Sequence, residues 1–150
     1  MSDLKIFSNN IPVKDKRIIV RLDLNVPINN SQIDDDTRIK VIEPFVNKLI
    51  KDKAKVILLS HLGRPKGKVV SKLSLKPIFT YLEKKLNGKI YFYQKKIDDK
   101  AVEASNKLKS GEVLLFENIR FFKEEEENDD NFAKNLAKLG DLFVNEAFSC

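Results

Sequence analysis

The chain has 150 residues, of which 42% are hydrophobic and 33% are charged, and its formal net charge at pH 7 is +6. This length and composition indicate one globular domain with a buried core and exclude a disordered or fibrous chain. No apolar run approaches the roughly 20 residues that a membrane-spanning helix needs, and residues 1–10 lack the pattern of a signal peptide. Together with a single cysteine, Cys150, these features predict a cytoplasmic protein with no membrane partner.

The positive charge is unevenly distributed along the chain. Residues 1–100 hold 22 Lys and Arg against 11 Asp and Glu, whereas residues 101–150 hold 6 against 11. The first two thirds should therefore attract anions. Most of these lysines are dispersed singly, as on a solvated helix face, and no basic run is interleaved with aromatic residues. We therefore expect no nucleic-acid partner.

Apolar runs and turn residues predict that strands and helices alternate along the chain. The first strand, Arg17–Asp23, ends in a loop marked by residues 27–31. An aspartate or threonine within residues 34–37 caps the first helix, which runs to about Asp52 and contains Pro44 as a site for a kink. The inner face of this helix carries Ile39, Ile42, Val46, Leu49 and Ile50.

Four more strands and three more helices are predicted after the first helix. The strands are Lys55–Ser60, Ile90–Tyr93, Val113–Phe116 and Leu142–Val144. Ser74 caps the second helix, which Asn87-Gly88 ends, and Asp98 or Asp99 begins the third, which Ser110-Gly111 ends. The fourth helix carries Phe132, Leu136 and Leu139 and ends at Gly140.

This alternation of five strands and four helices predicts the fold class. We expect an α/β fold with a doubly wound, mostly parallel sheet of the Rossmann-like class, in three α/β/α layers. The continuous apolar run Val56–Leu59 is typical of a strand that is buried on both faces of such a sheet. All 150 residues are assigned to one domain.

Chemistry-bearing side chains come after the predicted strands and not before them. They are Asp23 and Asn25 after the first strand, His61 and Arg64 after the second, and Asn118 and Arg120 after the fourth. Arg38 begins the first helix, and the carboxyl ends of strands share one edge with the starts of the following helices. Three arginines and a histidine at this edge predict a site for a small phosphorylated or carboxylated anion. Asp23 would accept a hydrogen bond from a hydroxyl of that ligand.

Each of these residues also has a structural interpretation. Asp23 could pair with a neighbouring arginine, His61 could be an ordinary loop histidine, and Arg120 could pair with the acidic tract Glu124–Glu127. Because there is no second histidine and no cysteine cluster, we expect no metal site. The segment Gly63–Lys68 is one residue short of a GxxxxGK phosphate-binding loop and lacks the following Ser or Thr, so we reject that motif.

Five segments resemble, in order and spacing, the N-terminal lobe of phosphoglycerate kinases. They are RLDLNVP at 21–27, DTRIK at 36–40, SHLGRPKG at 60–67, LLFENIRF at 114–121 and GDLFVNEAF at 140–148. The resemblance implies reversible phosphoryl transfer between 1,3-bisphosphoglycerate and ADP, giving 3-phosphoglycerate and ATP in glycolysis. It also implies a monomeric enzyme in which this lobe binds 3-phosphoglycerate or 1,3-bisphosphoglycerate and a second lobe binds Mg-ATP or Mg-ADP.

The resemblance assigns roles to single residues of this chain. It implies that Asp23 and Asn25 hold the hydroxyl and carboxyl end of the glycerate and that Arg38 is the catalytic arginine that supports the phosphoryl group in flight. It implies a basic patch for the non-transferred phosphate, made of His61, Arg64 and Arg120. Within the same motifs, further substrate contacts are expected from Leu24, Leu62 and Gly63. Phosphoryl transfer of this kind depends on positioning and charge stabilisation and needs no covalent nucleophile.

The sequence also departs from the family pattern. The family continues its last motif into a His-Arg pair, which this chain does not contain, and Glu146 and Phe122 stand where Asp and where His or Tyr are usual. We therefore expect a substrate-binding half without the nucleotide lobe, inactive alone. The competing hypothesis is a non-enzymatic basic α/β module that binds nucleic acid or a protein partner through residues 1–100. The last predicted strand could also recruit another chain by edge pairing.

Overall fold

The computed structural model describes residues 12–22, 24, 28–29, 32–33, 35–60, 71–95, 97–121 and 130–145. In this part of the chain the strands are β1 (Arg17–Arg21), β2 (Ile28–Asn29), β3 (Gln32–Ile33), β4 (Lys55–Leu59), β5 (Ile90–Tyr93), β6 (Val113–Phe116) and β7 (Leu142–Asn145). The helices are α1 (Thr37–Lys51), α2 (Lys76–Lys85), α3 (Asp99–Asn106) and α4 (Asp130–Lys138), with 3-10 turns at Ser71–Leu73 and Ile119–Phe121. None of the helices described is both long enough and apolar enough to cross a membrane.

Five of the strands form one sheet, in the order β5-β6-β4-β1-β7. All four ladders between neighbouring strands are parallel. The prediction of a doubly wound, mostly parallel sheet is therefore confirmed, and the described sheet is parallel throughout. Each crossover between parallel strands contains a helix, as this geometry requires.

Alternating side chains of the strands bury both faces of the sheet. Ile18 and Val20 belong to a core cluster with α1 and α2, whereas Ile19 belongs to a second cluster with α3 and α4. A strand covered on both faces needs consecutive apolar residues, which explains the apolar runs in the sequence. The predicted inner face of α1 is also confirmed, since all five of its residues are buried.

The topology defines a switch point between β4 and β6, which are neighbours in the sheet. The chain leaves β4 toward α2 on one face, and it leaves β6 toward α4 on the other face. Open α/β sheets form their binding crevice at the carboxyl ends of two strands that diverge in this way. The residues that follow Leu59 and Phe116 are therefore placed where a ligand site is expected.

The predictions for one loop and for the end of α3 are wrong. The predicted loop at residues 27–31 includes β2, which pairs with β3 in a short antiparallel ladder. Strands of two residues are too short to produce a recognisable pattern. Helix α3 ends at Asn106, four residues before the predicted stop, because residues 109–112 form a turn. In this turn Glu112 Oε1 accepts a hydrogen bond from the Lys109 N–H at 2.8 Å.

The start of β5 packs against the backbone at the start of β6, which makes Gly88 intolerant of a side chain. A Cβ at Gly88 would lie 2.4 Å from the Gly111 carbonyl oxygen. Because this oxygen is backbone and cannot rotate away, we expect Gly88→Ala to lower the free energy of unfolding by about 1–3 kcal/mol. Urea unfolding followed by circular dichroism measures this loss. The neighbouring exposed variant Asn87→Ala should stay within about 0.5 kcal/mol of the wild type, and equal stability of both variants would contradict the clash.

Candidate functional site

Buried polar side chains gather at the switch point. The buried polar residues in the described part of the chain are Ser60, Ser105, Glu117 and Asn118. Three of these four directly follow β4 or β6, and Ser60 and Asn118 are 0% exposed. Burying a polar group costs free energy unless the group is hydrogen-bonded, so these residues indicate an organised polar junction at this edge.

Ser60 joins the carboxyl ends of three neighbouring strands. Its Oγ accepts a hydrogen bond from the Leu24 N–H at 2.9 Å, and its carbonyl oxygen accepts one from the Ile119 N–H at 3.1 Å. Ser60 itself directly follows β4, whereas Leu24 follows β1 and Ile119 follows β6. One buried residue therefore links the three segments that follow these neighbouring strands.

Glu117 joins the end of β6 to the segment that enters α2. Its Oε1 accepts hydrogen bonds from the Leu75 N–H at 2.7 Å and the Asn118 N–H at 2.8 Å, and its Oε2 accepts one from Ser74 Oγ at 2.6 Å. Asn118 Nδ2 adds a bond to the Leu73 carbonyl oxygen at 2.9 Å. Hydrogen bonds to an ionised carboxylate are the stronger kind, so this connection is well fixed.

These contacts correct the predicted start of α2. Leu75, and not Ser74, is the cap residue, and it makes no side-chain cap hydrogen bond. Ser74 Oγ accepts a hydrogen bond from the Lys76 N–H at 3.1 Å while it donates to Glu117. A carboxylate from a distant strand thus satisfies N–H and O–H donors at the start of α2.

Arg38 lies in the first turn of α1, and its side chain is half-buried. Asp35 Oδ1 fixes the start of this helix by accepting hydrogen bonds from Thr37 Oγ1 at 2.6 Å and the Thr37 N–H at 3.0 Å. The Thr37 hydroxyl, then the Thr37 N–H and the charge of Arg38, lower the pKa of Asp35. The carboxylate therefore stays ionised beside the helix start that carries Arg38.

A second contact holds the start of α1 against α2. The Tyr81 hydroxyl donates a hydrogen bond to Asp36 Oδ2 at 2.8 Å. This bond lowers the pKa of Asp36, whereas burial, followed by the same bond, raises the pKa of Tyr81 to about 12. The cap residue of α1 is thus Asp36, as the sequence allowed, but its side chain binds Tyr81 and makes no cap hydrogen bond.

The structure describes only part of the predicted site. Leu24 is fully buried after β1, Arg38 begins α1, and the backbone of Arg120 lies in the turn after β6. The remaining predicted site residues, together with the side chain of Arg120, lie outside the described residues; they are Asp23, Asn25, His61, Leu62, Gly63 and Arg64. The roles of all of these toward a ligand stay predictions.

Sequence analysis missed Ser60, Ser74 and Glu117 as organisers of this edge. Ser60 and Glu117 each directly follow a run of four buried apolar residues, at the two strands that flank the switch point. That position was a usable signal, because a polar residue at the end of a buried strand needs a partner. The partner at Ser74 could not be foreseen, since it lies 43 residues from Glu117 in the sequence.

In the part of the chain that the structure describes, no three His, Cys, Asp or Glu residues come together as a metal site. The parallel, doubly wound sheet with helices on both faces defines an α/β domain of the Rossmann-like class.

Comparisons with known proteins identify the family. The model of the phosphoglycerate kinase family matches residues 8–150. The phosphoglycerate kinase of Prochlorococcus marinus (strain MIT 9515) is 48% identical over 150 residues, which are 99% of this chain and 37% of that relative. The phosphoglycerate kinase of Rhizobium meliloti (strain 1021) is 49% identical over 134 residues, 89% of this chain and 34% of the relative.

Solved structures agree with the sequence comparisons. Phosphoglycerate kinase from Coxiella burnetii superposes with a TM-score of 0.79 at 39% identity, covering 92% of this chain and 34% of that one. The enzyme from Pyrococcus horikoshii OT3 gives a TM-score of 0.81 at 30% identity, covering 98% and 36%. The chain belongs to the phosphoglycerate kinase family, and it spans about a third of the length of these relatives. The comparisons do not favour the alternative of a non-enzymatic basic module.

The contact between Tyr81 and Asp36 predicts that the Tyr81 hydroxyl titrates at a higher pH than an ordinary tyrosine. A pKa raised from 10.0 to about 12 means that the fold favours neutral Tyr81, so this stabilisation is complete below pH 10 and is lost as the pH rises toward 12. We expect Asp36→Asn to lower the titration midpoint of Tyr81, because the acceptor carboxylate is removed. Tyrosinate absorbance, compared with that of Tyr81→Phe, measures this midpoint, and an ordinary midpoint in the wild type would contradict the contact.

Proposed function

We propose that these 150 residues bind 3-phosphoglycerate or 1,3-bisphosphoglycerate at the carboxyl edge of the sheet. They would form the substrate-binding half of an enzyme that transfers a phosphoryl group reversibly between 1,3-bisphosphoglycerate and ADP, with a substrate carboxyl group as acceptor. The observation that carries this proposal is the junction at Ser60. Its hydrogen bonds connect the segments that follow β1, β4 and β6, and the residues predicted to bind the glycerate and its phosphate stand in these segments of the sequence.

The junction is suited to hold a small anion with several contacts. Leu24, whose N–H donates a hydrogen bond to Ser60, stands between Asp23 and Asn25 in the sequence. Ile119, whose N–H also donates a hydrogen bond to Ser60, directly precedes Arg120. Phosphoryl transfer gains most of its rate from positioning and charge stabilisation, and these hydrogen bonds would supply the positioning.

The charged groups in this proposal have separate roles. Asp23 and Asn25 bind the hydroxyl and carboxyl end of the glycerate. A basic patch of His61, Arg64 and Arg120 binds the phosphate that is not transferred, because a guanidinium can hold phosphate in a bidentate manner. Leu62 and Gly63 make further contacts with the substrate. Arg38, at the start of α1, stabilises the charge of the phosphoryl group in flight.

The remaining functions of the enzyme are proposed for other parts of the protein. The chain spans about a third of its relatives' length, and we propose that Mg-ATP or Mg-ADP is bound outside these 150 residues. The role of Mg²⁺ in such transfers is to neutralise charge on the nucleotide phosphates. We further propose that the enzyme is a monomer in the cytoplasm and uses only small-molecule substrates.

Substrate binding is tested by calorimetric titration of this chain with 3-phosphoglycerate. We expect Arg38→Ala and Arg64→Ala each to weaken binding by about tenfold or more, because each removes a charge-assisted hydrogen bond to the anion. Lys51→Ala is the matched control, since it removes one exposed positive charge from the opposite end of α1. Equal weakening by all three variants, with a steep dependence on salt, would contradict a specific site and favour a general basic surface.

The division of labour is tested by an activity assay on the pure 150-residue chain. We expect binding of 3-phosphoglycerate without binding of Mg-ATP, and no ATP-dependent turnover, because the nucleotide site is proposed to lie elsewhere. A coupled assay for ADP formation measures turnover, with a whole phosphoglycerate kinase as the positive control. ADP formation that depends on both 3-phosphoglycerate and the chain would overturn the division.

A further inference from the structure

Glu117 is a buried carboxylate for which the proposed reaction has no direct use. It is 6% exposed and directly follows β6 at the switch point. We propose that Glu117 is a positioning residue, which fixes the segments that carry the basic patch relative to each other. This inference deepens the proposed function and rests on it.

The carboxylate is committed to donors of its own chain. Both of its oxygens accept hydrogen bonds, from the Leu75 N–H, the Asn118 N–H and Ser74 Oγ, at 2.6–2.8 Å. An ionised carboxylate is purely an acceptor, so it can satisfy all three donors at once. Because Glu117 is buried and already bonded, it acts on a ligand through the segments it holds and is not a catalytic residue.

The three donors belong to two different segments of the proposed site. Leu75 and Ser74 come shortly after residues 61–70, which contain His61 and Arg64. Asn118 begins the turn that carries Arg120, and its Nδ2 also bonds the Leu73 carbonyl oxygen at 2.9 Å. One carboxylate therefore connects the segment that follows His61 and Arg64 with the segment that precedes Arg120. A small displacement between these two segments would separate the groups that are proposed to hold one phosphate.

Removing the carboxylate leaves buried donors without a partner. In Glu117→Ala the Leu75 N–H loses the acceptor that it has in the wild type, and an unsatisfied buried donor carries a desolvation penalty. The segments around it must then shift to find water or another acceptor. Glu117→Gln keeps the shape and one acceptor oxygen but places an NH₂ group among donors, so it perturbs the same contacts less.

The control residue is Glu112, which lies at the opposite end of the same strand. Its Oε1 accepts a hydrogen bond from the Lys109 N–H at 2.8 Å, and its Oε2 accepts one from the Tyr91 hydroxyl at 3.1 Å. Glu112→Ala therefore removes a more exposed carboxylate, which also accepts hydrogen bonds from an N–H and an O–H group, at the amino edge of the sheet. A purely structural effect of losing a glutamate beside β6 should appear in this variant too.

The experiment compares calorimetric affinity for 3-phosphoglycerate with stability in urea for the wild type, Glu117→Gln, Glu117→Ala and Glu112→Ala. We expect Glu117→Ala to weaken binding by about tenfold or more and Glu117→Gln to weaken it less. Glu112→Ala should lose stability but keep its affinity within about twofold of the wild type. Wild-type affinity in a folded Glu117 variant, or equal weakening by Glu112→Ala, overturns the proposal. Glu117→Gln decides the question where Glu117→Ala does not fold.

Hydrogen exchange separates a failure of this inference from a failure of the proposed function. A wild-type chain that does not bind 3-phosphoglycerate contradicts the proposed function. Positioning by Glu117 is then tested by the rate of hydrogen exchange at the Ile119 amide. This amide bonds Ser60 and not Glu117, so faster exchange there in Glu117→Gln than in Glu112→Ala supports positioning. Unchanged exchange at Ile119 overturns it.

Discussion

The candidate site depends on one constraint, which is the hydrogen bonding of polar groups buried at the switch point. Strands β4 and β6 are covered on both faces. The residues that directly follow them are therefore still buried at the point where the chain continues to opposite faces of the sheet. Ser60 and Glu117 accept hydrogen bonds there from N–H groups of segments that are distant in the sequence. The same hydrogen bonds link the residues that follow β1, β4 and β6, next to which the predicted ligand-binding residues stand in the sequence.

Much of the fold follows from residue patterns. The spacing of apolar residues gave the buried face of α1, and continuous apolar runs gave the strands, because both signals report burial directly. The β2–β3 pair was missed because each of its strands has only two residues, and the end of α3 was missed because it depends on the short-range turn of Lys109 with Glu112. Patterns of apolar residues, which report burial, therefore predict strands and helices more reliably than single residues predict where these elements end.

The site was predictable as an edge of the sheet but not as a network. Polar residues after apolar strands identified the edge, because parallel strands place their carboxyl ends together. Partnerships such as that of Glu117 with Leu75 join residues 42 apart, and no local pattern encodes them. The same limit applies to the hydrogen bond between Tyr81 and Asp36, which lie 45 residues apart.

The opposite edge of the sheet sets the register on which this network depends. Asp15, Lys53 and Gly111 have positive φ angles of 63°, 66° and 84°, and each stands two residues before a central strand, β1, β4 or β6. The Asp15 N–H bonds the Lys53 carbonyl oxygen at 2.9 Å, and the Gly111 N–H bonds the Ala54 carbonyl oxygen at 2.7 Å. Strands advance about 3.3 Å per residue, so a register fixed here also fixes the heights of the strand ends that meet at Ser60. The three turns thus contribute to the site from the far end of the sheet, and Asp15 and Lys53 adopt a backbone conformation that is strained for residues other than glycine.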